Sequence, residues 1–259
     1  MYFHRIGECK LANDDSRSDC SVSVSRDTGH AYIAVGSRLY IAKTRDLESW
    51  LTKIDDSDSV PSLPTLFEEQ GGALQVSWAA PGIITSLSLT QDGSLVASAA
   101  GGRVHVFRTT DLACVWESSG GDQDATIVGF SGRHLAILDA TGRLSLVHLD
   151  GSGRDGVRQR ASEVCRAGVS SFAFSPPSRG KLAFGVDDEV RFYDLSSGLV
   201  ERSVKLTCDD VMRDDKLAMR VDGLVWTKER AIMASSEIAP DGDRRYASPE
   251  VRTGSPGSL

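Results

Sequence analysis

The chain is poor in the residues that usually carry chemistry. Its five histidines, His4, His30, His105, His134 and His148, stand far apart in sequence, and none belongs to an HxH, HExxH or Cys/His pattern. Metal and catalytic centres are normally recognised by such convergent spacing, so neither is expected of them. The five cysteines, Cys9, Cys20, Cys114, Cys165 and Cys208, are odd in number and include no CxxC pair. A disulfide framework or cysteine zinc site is therefore not expected, and a reducing compartment fits best. No GxSxG elbow and no P-loop occur. No stretch approaches the roughly 18 apolar residues of a membrane span. Residues 1–8 hold no apolar signal-peptide core. The expectation is a chain of the cytoplasm or nucleus without membrane insertion, cofactor or enzymatic activity.

Positive charge is also scarce. Lys and Arg total 29 against 36 Asp and Glu, a net charge of -7. Direct nucleic-acid binding needs clustered Lys and Arg, so it is not expected over most of the surface. An acidic chain suits a basic protein partner instead. With 259 residues and 40% apolar composition, there is enough material for one large domain, or one domain with a tail.

What is present is a repeat. Ile41-Ala42-Lys43-Thr44-Arg45-Asp46-Leu47 and Val106-Phe107-Arg108-Thr109-Thr110-Asp111-Leu112 correspond at an offset of 65, which also carries Val24 onto Leu89 and Leu39 onto Val104. First strands are read near Val24, Leu89, Phe130 and Phe174, and third strands begin near Leu39, Val104, Leu144 and Val190. Second strands fit between them at 31–35, 95–99, 135–139 and 181–184. The second turns carry Gly36-Ser37, Gly101-Gly102, Thr141-Gly142 and Gly185, and glycine supplies the positive φ of tight hairpins. Fourth strands are read at 113–117 and 199–206, and a weaker fifth unit starts at Leu224-Val225-Trp226 and runs on through 231–235.

Such units suit β-propeller blades of about 40–50 residues. A β-sandwich is the alternative, but it has no reason to repeat these gaps. The reading is a WD40-like all-β propeller over 1–240, with about five blade-like units. Residues 52–82 are read as an acidic loop insertion carrying Asp55, Asp56, Asp58, Glu68 and Glu69. Residues 158–166 are read as a possible short helix, and 241–259 as a disordered tail or linker.

Gly151-Ser152-Gly153-Arg154-Asp155-Gly156 matches GxGxxG. It follows an antiparallel repeat strand and lacks the later carboxylate of a dinucleotide site, so it reads as a flexible inter-blade loop. The isolated Phe184-Gly185 and the tryptophans Trp78, Trp116 and Trp226 read as structural. The remaining candidate site is acidic: Asp209, Asp210, Asp214 and Asp215, between the fourth and fifth units, form a patch suited to steering a basic partner.

Glu189-Val190-Arg191-Phe192-Tyr193-Asp194-Leu195-Ser196-Ser197-Gly198 resembles the end of a degenerate WD40 repeat, with Tyr-Asp in place of Trp-Asp. The order of longer segments resembles a particular family. These are 21–25 with 31–35 and Leu39 to Leu47, then Pro81-Gly82-Ile83-Ile84-Thr85-Ser86-Leu87-Ser88-Leu89. Val169-Ser170-Ser171-Phe172-Ala173-Phe174-Ser175-Pro176 and Arg220-Val221-Asp222-Gly223-Leu224-Val225-Trp226 follow. Over roughly 18–242 they resemble the N-terminal propeller of the large cytoplasmic-filament FG nucleoporins, which anchor the DEAD-box mRNA-export helicase. The resemblance implies a seven-bladed propeller at the cytoplasmic face of the nuclear pore, with the helicase and other nucleoporins as partners. It also places the family's acidic contact loop at Asp209, Asp210, Asp214 and Asp215. The 259 residues contain neither the FG repeats nor the coiled coil of that family.

Overall fold

The computed structural model describes residues 20–25, 29–45, 74–118, 125–150, 158–205, 218–226, 231–238 and 244–245. Regular structure there is nearly all strand, in five antiparallel sheets. The chain divides into two compact units, 1–128 and 129–259.

The first unit holds two complete sheets. Sheet one orders β1 (Cys20–Ser25), β2 (His30–Val35), β3 (Arg38–Lys43) and β4 (Leu74–Ala79). Sheet two orders β5 (Ile84–Leu89), β6 (Leu95–Ala100), β7 (Arg103–Arg108) and β8 (Cys114–Glu117). The unit ends inside β9 (Ala125–Ser131). In the second unit, β10 (His134–Asp139), β11 (Leu144–Asp150) and β12 (Arg158–Cys165) complete sheet three. Sheet four orders β13 (Val169–Phe174), β14 (Lys181–Val186), β15 (Glu189–Asp194) and β16 (Leu199–Lys205). Sheet five pairs β17 (Ala218–Trp226), β18 (Ala231–Ile238) and β19 (Arg244–Arg245).

The local reason for these hairpins is legible in each unit. Short turns join strands rich in β-branched and small apolar residues. Second strands are buried on both faces: Val96 through Ala100 on β6 and Leu182 through Gly185 on β14. A strand covered on both faces reads as a continuous apolar run, not an alternating one. The small residues Ala97, Ala99 and Ala183 on these strands are fully buried. By contrast, nearly all of β16 is exposed, as the strand at one edge of its sheet.

A recurring tie links one sheet to the next. The first residue of the following sheet donates its backbone N–H to the glycine carbonyl of the preceding second turn: Ile84 to Gly36 at 2.8 Å, Ala125 to Gly102 at 3.2 Å and Val169 to Gly142 at 3.0 Å. At Gly142 the requirement for glycine is twofold. Its φ is +78°, and a Cβ there would stand 2.8 Å from the Gly168 backbone nitrogen.

Three expectations need correction. Residues 74–79 of the expected acidic insertion form β4, in register with β3 so that Trp78 lies opposite Leu39. Residues 52–73 of that insertion lie outside the described residues. The possible helix over 158–166 is instead β12. Its Arg, Gln, Ala and Glu suit a helix in isolation. Pairing with β11 from Asp150↔Arg158 to Leu144↔Cys165 overrides that preference, and Val164 and Cys165 are held against a core cluster. Within the expected tail, Arg244 and Arg245 pair with Ile238 and Glu237; its remaining residues lie outside the described residues.

Candidate functional site

Asp209, Asp210, Asp214 and Asp215 lie in the connection between β16 and β17, outside the described residues. The strands that anchor this connection are described. β16 runs along one edge of sheet four, whereas β17 lies beside β13 at the opposite edge.

The exposed edge of sheet four mixes charge with apolar groups. Leu199 is 67% exposed and Val200 is 46% exposed. Lys181 pairs with Glu201, Lys205 with Asp188 at 3.2 Å, and Arg191 with Glu189 at 2.7 Å. The Ser203 hydroxyl, assisted by Arg191, holds the Glu189 carboxyl below its ordinary range. These exposed pairs contribute little to stability, since solvent screens them. They do fix a patterned, hydrogen-bonding surface along sheet four.

The Tyr193-Asp194 dipeptide behaves as a turn builder. Tyr193 is buried, and Asp194 Oδ1 accepts hydrogen bonds from the Ser196 amide at 2.9 Å, the Ser197 amide at 2.7 Å and the Ser196 hydroxyl. These donors, the Ser196 hydroxyl first, hold the carboxyl down to about 2. Its Oδ1 is thus taken up by its own turn, which Asp194 serves to build.

The other sequence motifs are placed as follows. The GxGxxG segment falls outside the described residues, but Asp150 and Arg158 on either side of it are ladder partners. It thus joins two antiparallel strands of one sheet, neither bridging two blades as expected nor joining the strand and helix of a dinucleotide site. Phe184 is buried in the cluster of Leu138, Leu144, Leu146, Leu182 and Tyr193. Trp226 packs edge-on against Phe192 and donates its indole N–H to the Ala173 carbonyl at 3.0 Å. Trp78 packs on His105 and Phe107, with ring centroids 4.9 and 4.7 Å apart.

Sequence spacing alone missed two juxtapositions. His134 and His148 are direct partners across the β10–β11 ladder, with ring centroids 4.6 Å apart. His105 is the partner of Ser98 across β6 and β7. The signal was the short Gly101-Gly102 turn: counting outward from it pairs Ala100 with Arg103 and so Ser98 with His105. Among the described residues, no group of three or more His, Cys, Asp or Glu side chains is arranged to hold a metal. Among them also, no helix is long and apolar enough to cross a membrane.

No known protein family profile matches the chain, and no curated protein matches its sequence. Solved structures do. The chain is similar to the Cps50 (Swd1) β-propeller domain of Myceliophteria thermophila, with a TM-score of 0.59 and 12% identity over 93% of this chain and 71% of that one. The fold is a WD40-like β-propeller. This propeller is similar as well to a chain of a mitotic checkpoint complex, with a TM-score of 0.54 and 12% identity over 94% of this chain and 72% of that one. It is also similar to the dihydro-heme d1 dehydrogenase NirN, with a TM-score of 0.55 and 15% identity over 90% of this chain but 48% of NirN.

Proposed function

We propose that this chain is a non-enzymatic, WD40-like docking platform for protein partners. The observation that carries this reading is the propeller fold itself. It is a stack of sheets tied to one another by repeated backbone hydrogen bonds, and such a body can hold its connecting segments out for recognition. One similar chain belongs to a multiprotein checkpoint complex, which accords with a role in assembly.

The finer reading is a docking site at the cytoplasmic side of the nuclear pore, where the propeller binds a DEAD-box RNA helicase and other nucleoporins in mRNA export. The ordered segments over 18–242 support it, as does the acidic run Asp209, Asp210, Asp214 and Asp215 just before 221–226. The net charge of -7 suits attraction of a basic helicase surface. Affinity capture should return the helicase, and imaging should show a nuclear rim. Combined Asp209→Lys and Asp214→Lys should weaken helicase binding by about tenfold or more and flatten its salt dependence. Unchanged affinity refutes that contact site. Capture of a different assembly, such as a trafficking or ubiquitin-ligase complex, overturns the pore reading and keeps the platform as a general adaptor.

A further inference from the structure

His105 is 7% exposed on β7, and its cross-strand partner Ser98 on β6 is 0% exposed. Both lie between the first two sheets, within the first unit. The imidazole packs 4.9 Å from the Trp78 ring of β4, and Trp78 in turn packs on Phe107. The Ser98 hydroxyl and His105 Nε2 are both shut off from solvent, and neither has a hydrogen-bond partner. On the other side of the ring, Nδ1 lies 4.0 Å from Glu117 Oε2 of β8.

We propose that His105 is an acid-sensitive latch: uncharged, it lets sheets one and two close over it, and charged, it loosens their shared interface.

The chemistry follows from the two ring nitrogens. A neutral imidazole carries one N–H. Placed on Nδ1, that proton faces Glu117, and Nε2 remains a bare acceptor in an apolar site. A second proton must go to Nε2, where it creates a buried charged donor with no acceptor. Glu117 compensates only in part. Its side chain is 43% exposed, and it already accepts a 2.8 Å hydrogen bond from Arg103, whose own charge opposes the imidazolium.

Among the described residues, the other elements packed here offer no counter-charge. β3 contributes Leu39 and Ile41, β4 Trp78, β5 Ile84 and Leu87, and β6 Val96, Ser98 and Ala100. Tyr32 of β2 is ionisable, but burial raises its phenol above the ordinary value, so it stays neutral. Burial likewise pushes His105 below its ordinary value of 6.5, with Glu117 opposing and Arg103 reinforcing the shift. Because the closed form disfavours the proton, its stability is complete above 6.5. It falls as the pH drops below that value and levels off once the closed form also protonates.

Amide hydrogen exchange on the intact chain, corrected for intrinsic rates from about pH 8 to about pH 5, reads this directly. Protection of Leu74–Ala79 and Arg103–Arg108 should fall below 6.5 by up to about tenfold per pH unit, while Lys181–Val186 holds steady. His105→Phe cannot titrate and should flatten the profile. Glu117→Gln should deepen the loss. A flat profile in the unaltered chain, or an unchanged slope in His105→Phe, overturns the proposal. If His105→Phe does not fold, the imidazole NMR signals of the unaltered chain decide. An Nδ1–H tautomer titrating below 6.5 upholds the latch, and titration at or above 6.5 rejects it.

Discussion

The interface between sheets one and two and that between sheets three and four are built differently. The second is apolar, with Phe172, Phe174 and Phe184 among Leu138, Leu144 and Leu182. Gly129 clears room for it, since a Cβ there would lie 2.7 Å from the Phe172 ring. The first has a similar apolar base of Leu39, Ile84, Val96 and Phe107, but it also encloses His105 and Ser98. The same sheet geometry therefore accepts either filling. The apolar one gains stability through packing alone, whereas the mixed one makes closure depend on a protonation state.

Several measurements would sharpen or break this contrast. Phe184→Ala should have the largest effect, about 3–5 kcal/mol lost from the second unit through the cavity it leaves, read by denaturant unfolding. Phe107→Ala should cost less, because half-exposed Trp78 beside it has room to settle inward. Equal losses would mean that the two interfaces pack alike. Gly142→Ala comes next. It meets both a positive φ and the backbone nitrogen at 2.8 Å, and a loss of about 2–3 kcal/mol is expected. Gly36→Ala, at φ +57° with open space around it, should cost only about 1 kcal/mol. The reverse order would show that the ties matter more in the first unit.

The smallest effect belongs to the turn carboxylates. Asp92 is held below its ordinary value chiefly by the Thr90 hydroxyl, and Asp194 is held at about 2. A depressed carboxylate contributes above its ordinary value of 3.8 and loses that contribution as the pH falls toward the folded value. Amide exchange at Ser196 and Ser197 should therefore stay slow near pH 4 and quicken only on approach to about pH 2. Asp194→Asn should remove this acid dependence while leaving the sheets intact.

Much of the fold was legible because its turns are short and marked by glycine. Those turns fix the register of β2 with β3 and of β6 with β7, and with it the strands themselves. Besides the two-residue β19, the strands that escaped were β4 and β12. Each follows a long connection, and β12 carries charged and polar residues on its exposed part, so neither period nor glycine marks it. The tilted Trp78–His105 pair was hidden for another reason. It joins two sheets, and no count along one hairpin reveals what the neighbouring sheet brings. The acidic candidate Asp209, Asp210, Asp214 and Asp215 rested on composition and resemblance, which locate a segment but not its geometry.

The glycine ties divide the molecule into two unequal ends. The turns at Gly36, Gly102 and Gly142 are each caught by the strand that opens the next sheet, so their length is set from outside their own hairpin. The connections after β3 and β11 leave from the opposite end of their strands. One extra residue between Gly36 and Ser37 would pull on Ile84 and displace the adjoining repeat.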